Sequence, residues 1–170
     1  MMDETIVLET PPLTYCYSRI GEQRRVLIAG GHARRILHGT LNIQSGEVLL
    51  WHSPLWTQME HQSFLHMIRS HWRGWHIILF EDRASQHTAN NSQVLAETLD
   101  IQVRFLPRAT PELNVMDHLW RHTKREGISN RETSTVLQSA EMACDYIRTM
   151  SPRERLQKAG VFSDNFWLAE

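Results

Sequence analysis

Three aspartates stand where a carboxylate can do more than hydrate a surface. Asp3 lies in the stretch MDETIVL, Asp82 directly follows the apolar run IILFE, and Asp117 sits within ELNVMDHLWRHTKR. Hard oxygen donors drawn from three separate elements suit magnesium or manganese, which keep water ligands free for a substrate. A pair of such ions, about 3.5–4 Å apart, activates an attacking hydroxyl and stabilises the leaving oxygen of a phosphodiester. The blander reading of each residue is a solvated surface acid, and Asp3 fits it best.

Around Asp117 the pattern extends to phosphate. Leu113, Met116 and Trp120 recur at spacings of three and four, predicting an amphipathic helix with Asp117 beside its apolar stripe. Arg121 and Lys124 follow on the acid's own side and Arg125 joins them, a basic group suited to a DNA backbone. The same cations also complement the negative end of a helix dipole, and Glu112 complements the positive end. His87, five residues after Asp82, and Asn114, three before Asp117, are expected to support the acids from behind. His118 and His122 are four apart on one helix, but Leu119 stands where a zinc protease carries its glutamate, so zinc is not expected.

These residues need a scaffold, and the chain reads as one. Thr5 to Leu8 favour a strand that Pro11 and Pro12 end. RRVLIAGG reads as a second strand, and residues 34 to 52 as an antiparallel hairpin turning at Gln44, Ser45 and Gly46. Thr57 and Glu60 stand in capping-box spacing and open a helix to about Arg73, with Phe64, Met67, Ile68 and Trp72 inward. The unbroken Ile77 to Phe80 predicts a strand buried on both faces, as parallel strands are. A helix over 88–99 with Val94, Leu95 and Leu99 inward leads to the strand IQVRFL. Val136, Ala140, Ala143, Ile147 and Met150 mark a later helix, and Ser151, Pro152 and Glu154 restart another. A meander feeding helix–strand crossovers predicts an α/β fold: a mixed sheet, antiparallel then parallel, with helices on both faces and a helical C-terminal tail.

Composition narrows the class. With 170 residues and 41% of them hydrophobic, the chain builds one core, read as a single domain over 1–170. No run of 18 apolar residues occurs. The formal net charge of −1 argues against a nucleic-acid binder driven by bulk charge. Cys16 and Cys144 fall outside any CxxC spacing and read as free thiols, as in the cytoplasm.

Five segments carry a resemblance: DET at 3–5, GGHARRILHGTLNIQSGE at 30–47, EDRASQHTA at 81–89, LPRATPELNVMDHLWRHTKR at 106–125 and SPRERLQKAGVFSDNFWL at 151–168. Together they resemble the catalytic domain of a bacterial insertion-sequence transposase of the Tc/mariner superfamily, with a DDE-type endonuclease fold. The resemblance implies a ribonuclease-H-like architecture in which Asp3, not Glu4, is the first metal-binding acid, Asp82 the second and Asp117 the third. The interval of 34 residues between Asp82 and Asp117 (83 to 116) is the one typical of that superfamily. Val115 stands where relatives usually carry proline, and Asp117 where many carry glutamate. Two magnesium ions (manganese as substitute), cleavage and joining of DNA at transposon ends, a homodimer and a place beside the bacterial nucleoid are implied likewise. Against the family pattern the first strand reads as cut short and the N-terminal helix-turn-helix as absent. The opposing reading is an inactive remnant, or a subunit that folds or pairs without turnover.

Overall fold

The computed structural model describes residues 1–23, 25–26 and 31–168. Among them the order is β1 (Met2–Leu8), β2 (Arg34–Leu41), β3 (Val48–Ser53), α1 (Gln58–His71), β4 (Ile77–Glu81), α2 (Ser85–Thr88), α3 (Asn90–Thr98), β5 (Ile101–Phe105), α4 (Val115–His122), α5 (Val136–Thr149) and α6 (Pro152–Lys158). A single 3-10 turn, Pro111–Leu113, precedes α4, and a wider π-type turn, Thr123–Ile128, follows it. The strand expected over RRVLIAGG falls mostly outside the described residues.

The strands form two hydrogen-bonded sheets, one antiparallel and one parallel, side by side. β1, β2 and β3 pair antiparallel in that order, β4 and β5 pair parallel, and β1 packs beside β4. Every residue of β1 has a partner on β2, from Met2 opposite Thr40 to Leu8 opposite Arg34. Because side chains alternate along a strand, β1 and β2 feed two different cores. Val7, Leu37 and Leu41 pack with Val115, Met116, Leu119 and Trp120 of α4 and with Ala140, Ala143 and Ile147 of α5. Met2 packs on the other face with Phe64, Leu65 and Ile68 of α1, Leu79 of β4 and Ala96 of α3. Asp3 and Glu4, adjacent in the chain, therefore belong to opposite faces of the sheet.

Gly39 lets α4 sit down on β2. A Cβ there would lie 2.5 Å from both Met116 Cε and Trp120 Cζ2. At the turn between β2 and β3, Gly46 adopts φ +73°, with the Pro152 carbonyl against it. Arg155 ties the two together: its guanidinium donates to the carbonyls of Gly46 (3.1 Å), Ile147 (3.0 Å) and Arg148 (3.0 Å). Helix caps follow the sequence closely. Thr57 accepts from the Met59 N–H, and Ser151 and Glu154 form a complete capping box.

Two expectations are corrected. Ile78 is 47% exposed, so β4 is not buried on both faces; only its Leu79 and Glu81 positions are sealed. The helix expected over 88–99 breaks at Ala89, which is extended (φ −59°, ψ 134°), and α3 turns Ser92 and Ala96 inward while Val94 is 52% exposed. The packing of α3 against β5 and α1 sets that face, and it admits small side chains.

Candidate active site

One cleft of about 570 Å³ opens beyond the carboxyl ends of β4 and β5. Asp3, Asp82 and Asp117 all line it, with Glu4, Arg83, Arg108 and Asn114. Sites gather at such strand ends because the loops there are free to carry chemistry on a rigid base.

Each acid is held by its element. Asp3 is fixed by strand pairing, directly opposite Gly39. Asp82 stands one residue beyond β4, where its Oδ1 accepts the Ala84 N–H at 2.9 Å and faces His87 Nδ1 at 2.7 Å. Among the described residues no donor reaches its Oδ2. Asp117 lies in the first turn of α4, and Leu113 belongs to the 3-10 turn before it and not to one helix with Met116 and Trp120. Asn114 caps that helix: its Oδ1 accepts the Met116 N–H at 3.1 Å, and its amide donates to the Met2 carbonyl at 3.5 Å. It thereby joins the start of α4 to the residue before Asp3.

The electrostatics of the cleft are those of anions pressed together. Burial, and then the carboxylates of Glu4, Asp117 and Asp82, push Asp3 up to about 8. Asp82 is shifted the other way, below the usual carboxylate range, chiefly because His87 hydrogen-bonds it. Burial disfavours the charged form of His87, yet hydrogen bonds to Asp82 and Glu4 more than reverse this and bring it up to about 11. Burial likewise works against ionised Glu4, and the imidazoles of His38 and His87 outweigh it, holding the acid down at about 2.

The basic residues divide. Arg121 pairs with Asp117 across one helical turn (Nη2 to Oδ2, 3.0 Å). Lys124 is half-buried, which lowers its pKa, with Asp117 and Asp3 as the acids that act on it. Arg125 turns elsewhere: it pairs with Glu126 at 2.8 Å and lines a separate hollow with His122, Tyr146 and Lys158. The structure does not bring it to the cleft. Sequence reasoning missed Arg83, held over the Phe105 ring at 5.4 Å, and Arg108, both on the cleft wall. It also missed His38, His61 and Glu81, which are fully buried. The signals were there: His38 shares the parity of buried Ile36, and His61 stands three and four residues before Phe64 and Leu65. His61, Glu81 and His87 bring one ligand atom each within 4.8 Å of one another. His61 Nε2 already faces Glu81 at 3.1 Å, and both His87 nitrogens face the carboxylates of Asp82 and Glu4, so each ring is engaged by a carboxylate of its own. His122 faces the Tyr146 hydroxyl at 3.1 Å and joins no cluster of potential metal ligands among the described residues.

Three acids, on β1, just past β4 and on α4, thus line one cleft of an α/β fold. The chain belongs to the DDE superfamily endonucleases, whose family model matches residues 1–138. No curated protein sequence matches it. Its structure is similar to that of the Mos1 transposase paired-end complex with the left transposon end: TM-score 0.70 at 15% identity, over 93% of this chain and 50% of that one. The Mos1 strand transfer complex gives TM-score 0.68 at 15% identity, over 93% and 49%. The Mos1 transposase catalytic domain with Raltegravir and Mg gives 0.58 at 16%, over 74% and 68%. At these identities the likeness is one of ribonuclease-H-like fold. The chain spans about half the length of the complexed Mos1 chains. Divalent metal ions serve the endonucleases of this family.

Proposed function

We propose that the chain is the catalytic domain of a Tc/mariner-type transposase that cuts DNA at transposon ends and joins the freed 3′ end to target DNA. The observation that carries this is the convergence of Asp3, Asp82 and Asp117 on one cleft from three different elements. Their donor set fits two magnesium or manganese ions: all ligands are carboxylate oxygens, and the high proton affinity of Asp3 marks a site short of positive charge. When bound, the ions activate the attacking hydroxyl and stabilise the leaving oxygen.

The chain's own side chains do the rest. His87 keeps Asp82 ionised and oriented. Asn114 sets α4 so that Asp117 faces the strand carrying Asp3. Arg121 and Lys124, with Arg83 and Arg108 on the wall, offer phosphate partners, so the DNA backbone lies along the cleft. Mos1 forms complexes with transposon ends, and by likeness the DNA here is of that kind. A homodimer is part of the same reading; the exposed Tyr15, Tyr17 and Ile20 between β1 and β2 supply apolar surface for one.

The test is magnesium- or manganese-dependent nicking of transposon-end DNA. Asp82→Asn and Asp117→Asn are each expected to reduce it to the level seen with chelator. Undiminished nicking by both variants sinks the assignment.

A further inference from the structure

Behind Asp82 a line of polar groups runs into the protein. His87 Nδ1 lies 2.7 Å from Asp82 Oδ1, and His87 Nε2 lies 3.1 Å from Glu4 Oε1. The same Glu4 oxygen lies 3.4 Å from Nδ1 of His38, its cross-strand partner. His38 Nε2 is 3.0 Å from Ser53 Oγ, and Ser53 donates to the Leu55 carbonyl at 2.6 Å. Serine has one hydroxyl hydrogen, which goes to Leu55, so Ser53 accepts from His38 Nε2–H. His38 is thereby fixed, and its ring stacks on Trp51 at 5.0 Å. The side chains of His38, Glu4 and His87 are 0%, 3% and 1% exposed, while that of Asp82 is 54% exposed. The hydrogen-bonded part of the line thus starts at buried Glu4, with His38 close beside it, and ends on one acid of the cleft.

An ionised carboxylate only accepts hydrogen bonds, so a histidine between two of them donates from both nitrogens. Glu4 holds the Nε2 end of the ring, and this leaves Nδ1–H a single direction. With the Ala84 N–H it occupies Oδ1 of Asp82, and Oδ2 stays free for a cation. Such outer partners orient metal ligands, and their loss commonly costs about 10–100-fold in metal affinity.

We propose that Glu4 is a positioning residue for the metal site: acting through His87, it presents Asp82 to the cleft by one oxygen. This rests on the metal-binding reading of the cleft given above.

The test is calorimetric titration of the whole chain with manganese: unaltered, Glu4→Gln, His87→Asn, the double variant, and Asp82→Asn. Asparagine puts an amide nitrogen near the place of Nδ1, keeping the donor to Asp82 but losing Glu4. Glu4→Gln is expected to weaken manganese binding about 10–100-fold. In the His87→Asn background the same change is expected to add less than about twofold, because the connection is already cut. Manganese binding unaffected by Glu4→Gln overturns the proposal. So does a Glu4→Gln loss that is undiminished in the His87→Asn background, which would mark a general effect on the fold. A crystal structure of the unaltered chain with manganese decides the matter independently of whether the variants fold: Asp82 is expected to hold the ion through Oδ2 with Oδ1 on His87, and an ion held by Oδ1 overturns it. Equal manganese binding by Asp82→Asn and the unaltered chain places the fault in the metal reading itself, and the positioning role falls with it.

Discussion

Gly39 stands directly across the β1–β2 pairing from Asp3, and the six-membered ring of Trp120 fills the space where a side chain at 39 would be. The approach of α4 to the sheet, and with it the reach of Asp117 toward Asp3, depends on that missing methyl group. Met116 Cε ends a flexible side chain and can move aside; the Trp120 ring, 2% exposed, cannot do so cheaply. Gly39→Ala is therefore expected to destabilise the chain by about 1–3 kcal/mol. In a domain of this size that lowers the melting temperature by roughly 2–4 °C per kcal/mol. A melting curve superposable on that of the unaltered chain would count against this packing.

Asp3 makes stability depend on pH in a direction opposite to most acids. Its folded-state value is raised from 3.8 to about 8, so the folded chain holds a proton that the unfolded chain has released. Between those values stability falls as pH rises, and the loss is complete above about 8. In chelator, Asp3→Asn is expected to raise the melting temperature at pH 8 and to change it little at pH 4. Manganese is expected to restore stability to the unaltered chain at pH 8 and to help Asp3→Asn much less. A variant that melts lower than the unaltered chain at pH 8 would show that Asp3 is not under charge stress.

Arg121 and Arg125 look equivalent in sequence and differ in place. Both are exposed and paired with an acid, Asp117 and Glu126 respectively, and neither pair is worth more than about 0.5 kcal/mol to the fold. DNA binding separates them. Arg121→Ala is expected to weaken duplex binding and reduce the salt slope by about one, the value for one lost phosphate contact. Arg125→Ala is expected to leave the slope unchanged, since its hollow is not the cleft. Equal slopes for the two variants in a salt series would remove Arg121 from the DNA path.

Much of the fold and of the cleft is legible in the sequence. Helix caps at Thr57 and Ser151, the hairpin after Arg34 and the acid after β4 are local signals, carried by residues within a few positions of one another. What failed were statements about facing. Val94 and Ile78 are apolar, yet the face each presents is decided by neighbours distant in the chain, and periodicity does not contain them. The buried histidines escaped for a related reason. A histidine on an inward parity reads as an exception until the carboxylate facing it is known, and Glu4 is 34 positions from His38 and 83 from His87. Arg125 meets the same limit: the π-type turn after α4 shifts the helical phase beyond His122.

The alternation of β1 has one more consequence. Asp3 and Glu4 differ by a methylene group, and residue type alone barely distinguishes them. Their separate places are assigned by which cross-strand neighbour each meets on β2, Gly39 for one and His38 for the other. A slip of one position would turn the longer acid to the face that carries α4 and the shorter one to the imidazoles. The identity of the first acid is thus written in the strand register, and the seven paired residues of β1 act as its proofreader.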